Sequence, residues 1–154
     1  MAYKSKNNPR LKHFDYSENG YYFITNNTHF SRVYLTDHTK ELIKSELFDL
    51  ERRFEGVNIY YYSIMPTHVH VIIALHNSVK TIPQIWRVFK SITSVKARKN
   101  GFKDSHLWQL NYFEHIIRNE KALESIVLYI RNNPFKENIP FHEIYGDRLP
   151  NIIL

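Results

Sequence analysis

The chain of 154 residues contains no cysteine. This absence excludes a disulfide framework, a thiolate metal site and a thiol nucleophile, and it is compatible with a reducing compartment. Long apolar runs are also missing, since no stretch reaches the roughly 18 residues of a membrane-spanning helix, and the N-terminus lacks the apolar core of a signal peptide. We therefore expect a cytoplasmic protein that does not associate with membranes.

Glycine is scarce as well, with 4 residues, beside 6 prolines. No glycine-rich phosphate cradle occurs, so no nucleotide cofactor is expected. Hydrophobic residues make up 43% and aromatic residues 15% of the chain, which is typical of a globular protein. The length predicts a single domain over residues 1–154, with a basic arm at 1–18 and an irregular tail at 135–154.

Acidic residues are missing from one long segment of this basic chain, whose net charge is +6. Six acids and four bases lie between Asp37 and Glu55, whereas seven bases and one acid lie between Lys80 and Asp104. One part of the surface is therefore specifically basic, which admits a polyanionic partner.

Hydrophobic periodicity and turn residues predict four strands, at 20–28, 57–65, 68–75 and 112–117. They also predict three helices, at 38–54, 82–99 and 121–132, the second opened by a capping box at Thr81 and Gln84. The expected core stripe of that second helix is Ile85, Val88, Phe89, Ile92 and Val95. The order βαββαβα predicts an α+β fold, in which a ferredoxin-like antiparallel sheet carries packed helices.

Two histidines, His68 and His70, stand in the third predicted strand. Residues two apart project from the same face of a strand, so the two imidazoles lie side by side and could share a metal ion. Two histidines are one ligand short of a usual site, and each could instead be a half-exposed sheet residue.

The last helix offers partners for this pair. Tyr129 and Asn133 are four residues apart and so share a helix face, near the edge of the apolar stripe. Asn133 could supply an amide oxygen as the third ligand, and the hydroxyl of Tyr129 could attack a phosphorus atom. The chain has 11 tyrosines, however, and Tyr129 could equally be a packing residue.

Three blocks of sequence resemble one family. Pro-Thr-His-Val-His at 66–70 looks like the His-hydrophobic-His (HUH) motif of single-tyrosine transposases. Leu-Trp-Gln at 107–109, with the residues that follow to Asn119, is similar to the block before their last helix. Tyr-Ile-Arg-Asn-Asn-Pro at 129–134 resembles the end of that helix in the REP-associated tyrosine transposases.

The resemblance, which covers roughly residues 18 to 140, implies a metal-dependent endonuclease and strand transferase that acts on single-stranded DNA near hairpins through a 5′-phosphotyrosine intermediate. It implies that His68, His70 and Asn133 hold Mg²⁺ or Mn²⁺ and that Tyr129 is the nucleophile. Many insertion-sequence members have Gln at the position of Asn133, and Asn is one methylene shorter.

DNA contacts are expected from the basic helix and from residues near the proposed site. Single strands also bind by stacking of bases on aromatic side chains. The expected set is Arg87, Lys90, Arg98, Trp108, Tyr112, His115, Arg118, Arg131 and Lys136. His115 could instead be the general base, or a strand histidine bonded to a neighbour; Trp108 could belong to the core, and the bases could be ordinary solvated charges.

Single-stranded or hairpin DNA is thus the expected partner, bound by a monomer or a homodimer. The alternative is a non-catalytic, domesticated nucleic-acid-binding module with the same type of sheet. A metal hydrolase of small molecules is a third possibility, but it leaves the basic helix unexplained. The paired aromatics of RNA-binding sheets are absent from the strand that carries the histidines.

Overall fold

A computed structural model describes residues 19–132 of the chain. The predicted arm at 1–18, the predicted tail at 135–154, and two of the predicted site residues, Asn133 and Lys136, lie outside the described residues. The expectation of a single domain over the whole chain therefore stays a prediction.

Four strands and three helices follow one another in the predicted order. The strands are β1 (Gly20–Asn27), β2 (Val57–Met65), β3 (His68–Leu75) and β4 (Phe113–Ile117); the helices are α1 (Asp37–Arg53), α2 (Ile82–Lys99) and α3 (Glu120–Asn132). Each predicted boundary is confirmed to within one residue. A short 3-10 turn at His29–Ser31, which was not predicted, follows β1. Within residues 19–132, no helix has the length and apolar character needed to cross a membrane.

The strands form one sheet in the order β2-β3-β1-β4, and every neighbouring pair is antiparallel. Helix α1 joins β1 to β2 by crossing β3, and α2 joins β3 to β4 by crossing β1. Two such split βαβ units are the arrangement of ferredoxin-like folds. The predicted fold class is confirmed.

The two faces of the sheet are covered by different helices. Helices α1 and α2 bury a large core with alternate residues of β1 and β3, among them Ile24, Val71 and Ile73. Helix α3 packs on the opposite face through Leu123, Val127 and Ile130, which contact Phe23 and Ile72. The alternation of apolar residues along β3 thus feeds two separate cores.

The core stripe of α2 differs from the predicted one. Val95 is 50% exposed, and Trp86, which was not expected in the core, is fully buried. Its indole N–H donates a 2.9 Å hydrogen bond to Oδ1 of the buried Asn26 on β1, and its ring stacks on Phe89. A buried indole needs an acceptor, and Asn26 of the sheet supplies one to this face of α2. The buried residues are Ile82, Ile85, Trp86, Phe89, Thr93 and Ala97.

A buried carboxylate joins α1 to α2. Glu46 of α1 is 2% exposed and forms ion pairs with Lys96 of α2 and, at 3.4 Å, with Arg53. A buried charge is tolerated when it is paired in this way. Lys96 is therefore balanced by an acid, and the basic surface of α2 is narrower than the count of its bases indicates.

Glycine at position 56 is required by the turn between α1 and β2. Gly56 has φ +80°, and a Cβ atom built there would lie 2.2 Å from the carbonyl oxygen of His76. Gly101 has a similar φ of +104°, but a Cβ there would meet nothing within 4 Å. A side chain at position 56 would therefore meet both backbone strain and a collision, whereas one at position 101 would meet backbone strain alone.

We predict that Gly56→Ala lowers the free energy of unfolding by about 2 kcal/mol or more, because strain and collision add. Gly101→Ala, with strain alone, should cost roughly 1 kcal/mol. Urea denaturation of the two variants measures the difference. Equal destabilisation would show that the chain at His76 yields to the new methyl group.

Candidate active site and nucleic-acid interface

His68 and His70 lie side by side at the start of β3, on the face that α3 covers. Their ring centroids are 4.7 Å apart. His68 is opposite Asn27 of β1 and His70 is opposite Thr25, while Val69 and Val71 enter the core beneath α1 and α2. His70 is 2% exposed, whereas His68 is half-buried. The predicted orientation of the pair is confirmed.

A threonine hydroxyl holds each imidazole. Oγ1 of Thr25 is 2.8 Å from Nδ1 of His70, and Oγ1 of Thr67 is 2.9 Å from Nδ1 of His68. When Nδ1 carries the ring proton and donates it to the hydroxyl, the lone pair of the neutral ring is on Nε2. Oxygen partners on the second nitrogen are the usual way in which proteins orient metal-binding histidines.

Tyr129 reaches the histidine pair from α3. Its ring centroid is 5.2 Å from that of His70 and 6.3 Å from that of Phe23. The residue is half-buried at the edge of the apolar stripe formed by Leu123, Val127 and Ile130, which fixes α3 on the sheet. The structure therefore brings Tyr129 to His68 and His70, which precede it by about sixty residues in the sequence.

Other tyrosines on this face serve packing. A register shift between Ile59 and Tyr61 allows the consecutive residues Tyr60 and Tyr61 to pack against the same core. Tyr60 makes an edge-to-face contact with Tyr21 at 5.1 Å. Burial, followed by electrostatic interaction with Tyr21, raises the pKa of Tyr60, so its phenol keeps its proton more firmly than an ordinary tyrosine does.

The described residues contain two histidines whose chemistry suits a divalent ion, but no complete metal-binding group. Residues 19–132 contain no group of three or more His, Cys, Asp or Glu side chains that could hold one. Any third protein ligand would therefore be an amide or hydroxyl oxygen of these residues or a side chain outside them. Asn133, which follows the last described residue in sequence, is a candidate of the right chemistry, an amide oxygen.

A wide groove of about 1240 Å³ lies beside α2, on the side of the molecule that carries α1 and α2. Arg87, Lys90 and Arg98, three of the expected DNA contacts, line one wall. The opposite wall is made by the 3-10 turn and by the segment that leads into β4. The remaining lining residues are His29, Phe30, Ser31, Pro83, Ser91, Ser94, His106, Leu107, Trp108, Gln109, Leu110, Asn111 and Tyr112.

Two of these bases also hold the groove together. The Lys90 ammonium donates to the carbonyl oxygens of Gln109 and Leu110 at 2.7 and 2.9 Å, and lies 5.7 Å from the ring centroid of Tyr112. The Arg98 guanidinium donates to the carbonyl oxygens of Asp104 and Ser105. These bonds fix the segment before β4 against α2. The groove is therefore a shaped surface rather than a gap between mobile loops.

Trp108 belongs to the core rather than to an open stacking surface. It is 5% exposed, and its indole N–H donates a 2.8 Å hydrogen bond to Oγ1 of Thr93. Its ring also packs on Phe89. Of the two interpretations of Trp108, the structure thus favours the core, because a base needs an open ring face on which to stack. Tyr112, by contrast, is half-buried at the groove.

The other predicted DNA contacts lie apart from the groove, on β4, at its end and on α3. His115 is opposite Phe23 and lies on the face of the histidine pair, stacked at 6.0 Å with Phe113. Arg131 is exposed two residues after Tyr129. Arg118 follows Ile117, which pairs with Tyr21 near the start of β1, so it lies at the opposite end of the sheet from His68.

Several residues of the two surfaces escaped prediction. Thr25 lies in a run of ordinary strand-forming residues, and only the pairing of β1 with β3 shows that it is opposite His70. Phe30, together with His29 and His106, whose rings are 4.9 Å apart, lines the groove from segments without periodicity. Of these residues, Thr67 alone could have been identified from the sequence as a partner of a histidine, because it directly precedes His68.

Known proteins resemble this chain along most of its length. The family model described as "Transposase IS200 like" matches residues 16–133. An uncharacterised protein of Haemophilus influenzae is 34% identical over 81% of this chain and 86% of its own length. The REP-associated tyrosine transposase of Escherichia coli is 29% identical over 78% of this chain and 73% of its own length.

A solved structure has the same fold. A REP-associated tyrosine transposase, described as bound to a REP hairpin, superposes with a TM-score of 0.70 at 23% identity, over 83% of this chain and 73% of that one. The predicted family and the prediction of an enzyme are both confirmed. The chain belongs to the IS200-like transposase family, and the REP-associated tyrosine transposases are among its relatives.

Proposed function

We propose that this transposase cuts single-stranded DNA near a hairpin through a covalent 5′-phosphotyrosine intermediate and then transfers the strand. The observation that carries the proposal is the contact between Tyr129 and His70, whose ring centroids are 5.2 Å apart on one face of the sheet. A hydroxyl nucleophile beside two oriented imidazoles is an arrangement suited to phosphoryl transfer. The hairpin named for the solved relative supports hairpin DNA as the substrate of this chain.

In this reaction the Oη atom of Tyr129 attacks the scissile phosphorus atom. A new bond forms between Oη and phosphorus, and the bond from phosphorus to the 3′-oxygen breaks. The phenolic proton leaves as the bond forms, and the departing 3′-oxygen takes up a proton to become a 3′-hydroxyl. The phosphotyrosine keeps the energy of the phosphodiester, so attack by a second 3′-hydroxyl rejoins DNA without ATP.

His68 and His70 would hold a divalent metal ion, Mg²⁺ or Mn²⁺, together with Asn133. When bound, such an ion polarises the scissile phosphate and stabilises its developing charge. The chain's own contribution is orientation: Thr25 and Thr67 fix the rings, and the packing of α3 on Phe23 fixes Tyr129. His115, on the same face, is a candidate for the group that accepts the phenolic proton or contacts DNA.

Replacing Tyr129 with Phe tests the nucleophile. The change removes one oxygen and keeps the ring that packs on Phe23 and His70, so folding should be preserved. With labelled hairpin DNA and Mn²⁺ we expect the covalent adduct to disappear from denaturing gels and cleavage to fall on the order of a thousandfold or more.

Tyr61→Phe is the matched control, since Tyr61 is half-buried in the same core. It should retain both adduct and cleavage. Adduct formation by the Tyr129 variant would show that another residue is the nucleophile. DNA binding without any adduct in the unaltered protein would instead favour a non-catalytic module.

Replacing His68 with Ala tests the metal site. His68 is half-buried at the start of β3, so truncation should be tolerated by the fold. We expect metal-dependent cleavage to be lost, while binding of hairpin DNA, measured by fluorescence anisotropy in EDTA, changes less than about twofold because the basic groove is untouched. Unchanged cleavage would exclude a metal-binding role for this residue.

Thr25→Val tests the orientation of His70. Valine keeps the shape of threonine but cannot accept a hydrogen bond from Nδ1, so the ring loses its partner at 2.8 Å. We expect about a tenfold or greater loss of Mn²⁺ affinity by isothermal titration calorimetry, the effect usual for such supporting contacts. Thr25→Ser restores the hydroxyl and should recover most of it. Equal affinities in all three proteins would contradict the positioning role.

A further inference from the structure

Phe30 presents an aromatic ring to solvent on a strained turn. Its side chain is 74% exposed, and its backbone has φ 53° and ψ 25°, the left-handed region that bulky residues avoid. Ser31 beside it has the same φ. Strain of this kind costs of order 1 kcal/mol or more and persists only where the surroundings impose it.

Hydrogen bonds on both sides impose this conformation. The amide of His29 donates to the carbonyl of Leu107 at 3.0 Å, which ties the turn to the segment before β4. Thr28 forms a β-bridge with Trp108, and its hydroxyl donates to the carbonyl of Arg32 at 2.5 Å. The backbone that carries the exposed ring is therefore fixed at the edge of the groove.

The groove that Phe30 borders is cationic. Arg87, Lys90 and Arg98 line it, and the lining residues include no Asp or Glu. The nearest acid of the adjoining segment, Asp104, accepts a hydrogen bond from the Tyr34 hydroxyl at 2.5 Å. The volume of about 1240 Å³ exceeds the range of roughly 300–1,000 Å³ of small-molecule pockets, so an extended polyanion fits better than a metabolite.

The ring itself is suited to a nucleobase. The guanidinium of Arg32 lies 5.3 Å from the ring centroid of Phe30, and the His29 ring centroid lies 4.2 Å away. An aromatic ring with a guanidinium beside it, facing a basic wall, is the combination by which proteins bind single strands. Paired bases inside a duplex are already stacked and cannot offer a face to such a ring.

We propose that the groove beside α2 binds unpaired nucleotides that flank the hairpin of the DNA substrate, with one base stacked on Phe30 and the backbone along Arg87 and Arg98. The proposal rests on the proposed function insofar as DNA is the substrate. The position fits, because Phe30 follows Asn27 by three residues, at most about 11 Å along the chain, and Asn27 is opposite His68. The groove lies on the other side of the sheet from the histidine pair, but its Phe30 edge is near the same end of the sheet, so a flanking strand need only pass around that end.

Phe30→Leu tests the stacking contact, since it keeps an apolar side chain of similar size and removes the aromatic face. Binding is measured by fluorescence anisotropy in EDTA, where no cleavage occurs, on a blunt DNA hairpin and on the same hairpin with an eight-nucleotide unpaired extension. We expect affinity for the extended hairpin to fall about fivefold or more, the loss that one base–aromatic stack predicts. Affinity for the blunt hairpin should stay unchanged.

Phe48→Leu is the matched control, because Phe48 is an exposed phenylalanine of α1, at 41% exposure, that does not line the groove. It should bind both hairpins like the unaltered protein. Phe30→Tyr, which keeps the ring, should do the same. An equal loss on both hairpins, or no loss on the extended one, would overturn the stacking role.

A direct readout comes from photocross-linking. Extended hairpins with 5-iodouracil at single positions should cross-link to the peptide that contains Phe30, and a map without that peptide would contradict the proposal. Failure here leaves the covalent adduct of Tyr129 untouched, whereas absence of the adduct in a protein that cross-links at Phe30 would defeat the proposed chemistry alone.

Discussion

The pairing register between β1 and β3 is the constraint on which both surfaces depend. Side chains alternate along a strand, so a slip of one residue would turn His68 and His70 into the core beneath α1 and α2 and move Val69 and Val71 to the face that α3 covers. The register is secured by burial on both faces, because Ile24 and Val71 enter one core while Phe23 and Ile72 enter the other. The histidine pair thus obtains its orientation from hydrophobic packing.

The same register supplies the polar support of the site. Pairing Thr25 with His70 places a hydroxyl 2.8 Å from Nδ1 without any dedicated loop. A site built from facing strand residues is more rigid than one built on loops, because each ring is held by its neighbours on both sides. Tyr129 is the exception, because its position depends on the docking of α3 through Leu123, Val127 and Ile130 and not on strand pairing.

Strong hydrophobic periodicity, together with clear helix-capping and turn residues, made most of the fold predictable. The capping box at Thr81 and Gln84 is present with both of its hydrogen bonds, and the boundaries of β2 and β3 agree with the prediction because Pro66 and Thr67 form a tight turn between apolar runs. The core face of α2 was harder, because Trp86 and Val88 both fit an amphipathic pattern. A buried acceptor on β1, Asn26, decides between them, and such a partner is invisible in the helix's own sequence.

The candidate site divides in the same way. His68 and His70 could be found because polar residues interrupt an apolar strand, and Tyr129 because it shares a family's motif. The groove could not be found in this way, because it lies between α2 and two segments without periodicity. Hydrogen bonds from Lys90 and Arg98 to backbone carbonyls hold the segment before β4 against α2. These bonds also change the meaning of the basic helix. Bases that hold a wall in place supply charge at fixed positions, and a polyanion that binds there meets a preformed surface at a smaller cost in conformational entropy.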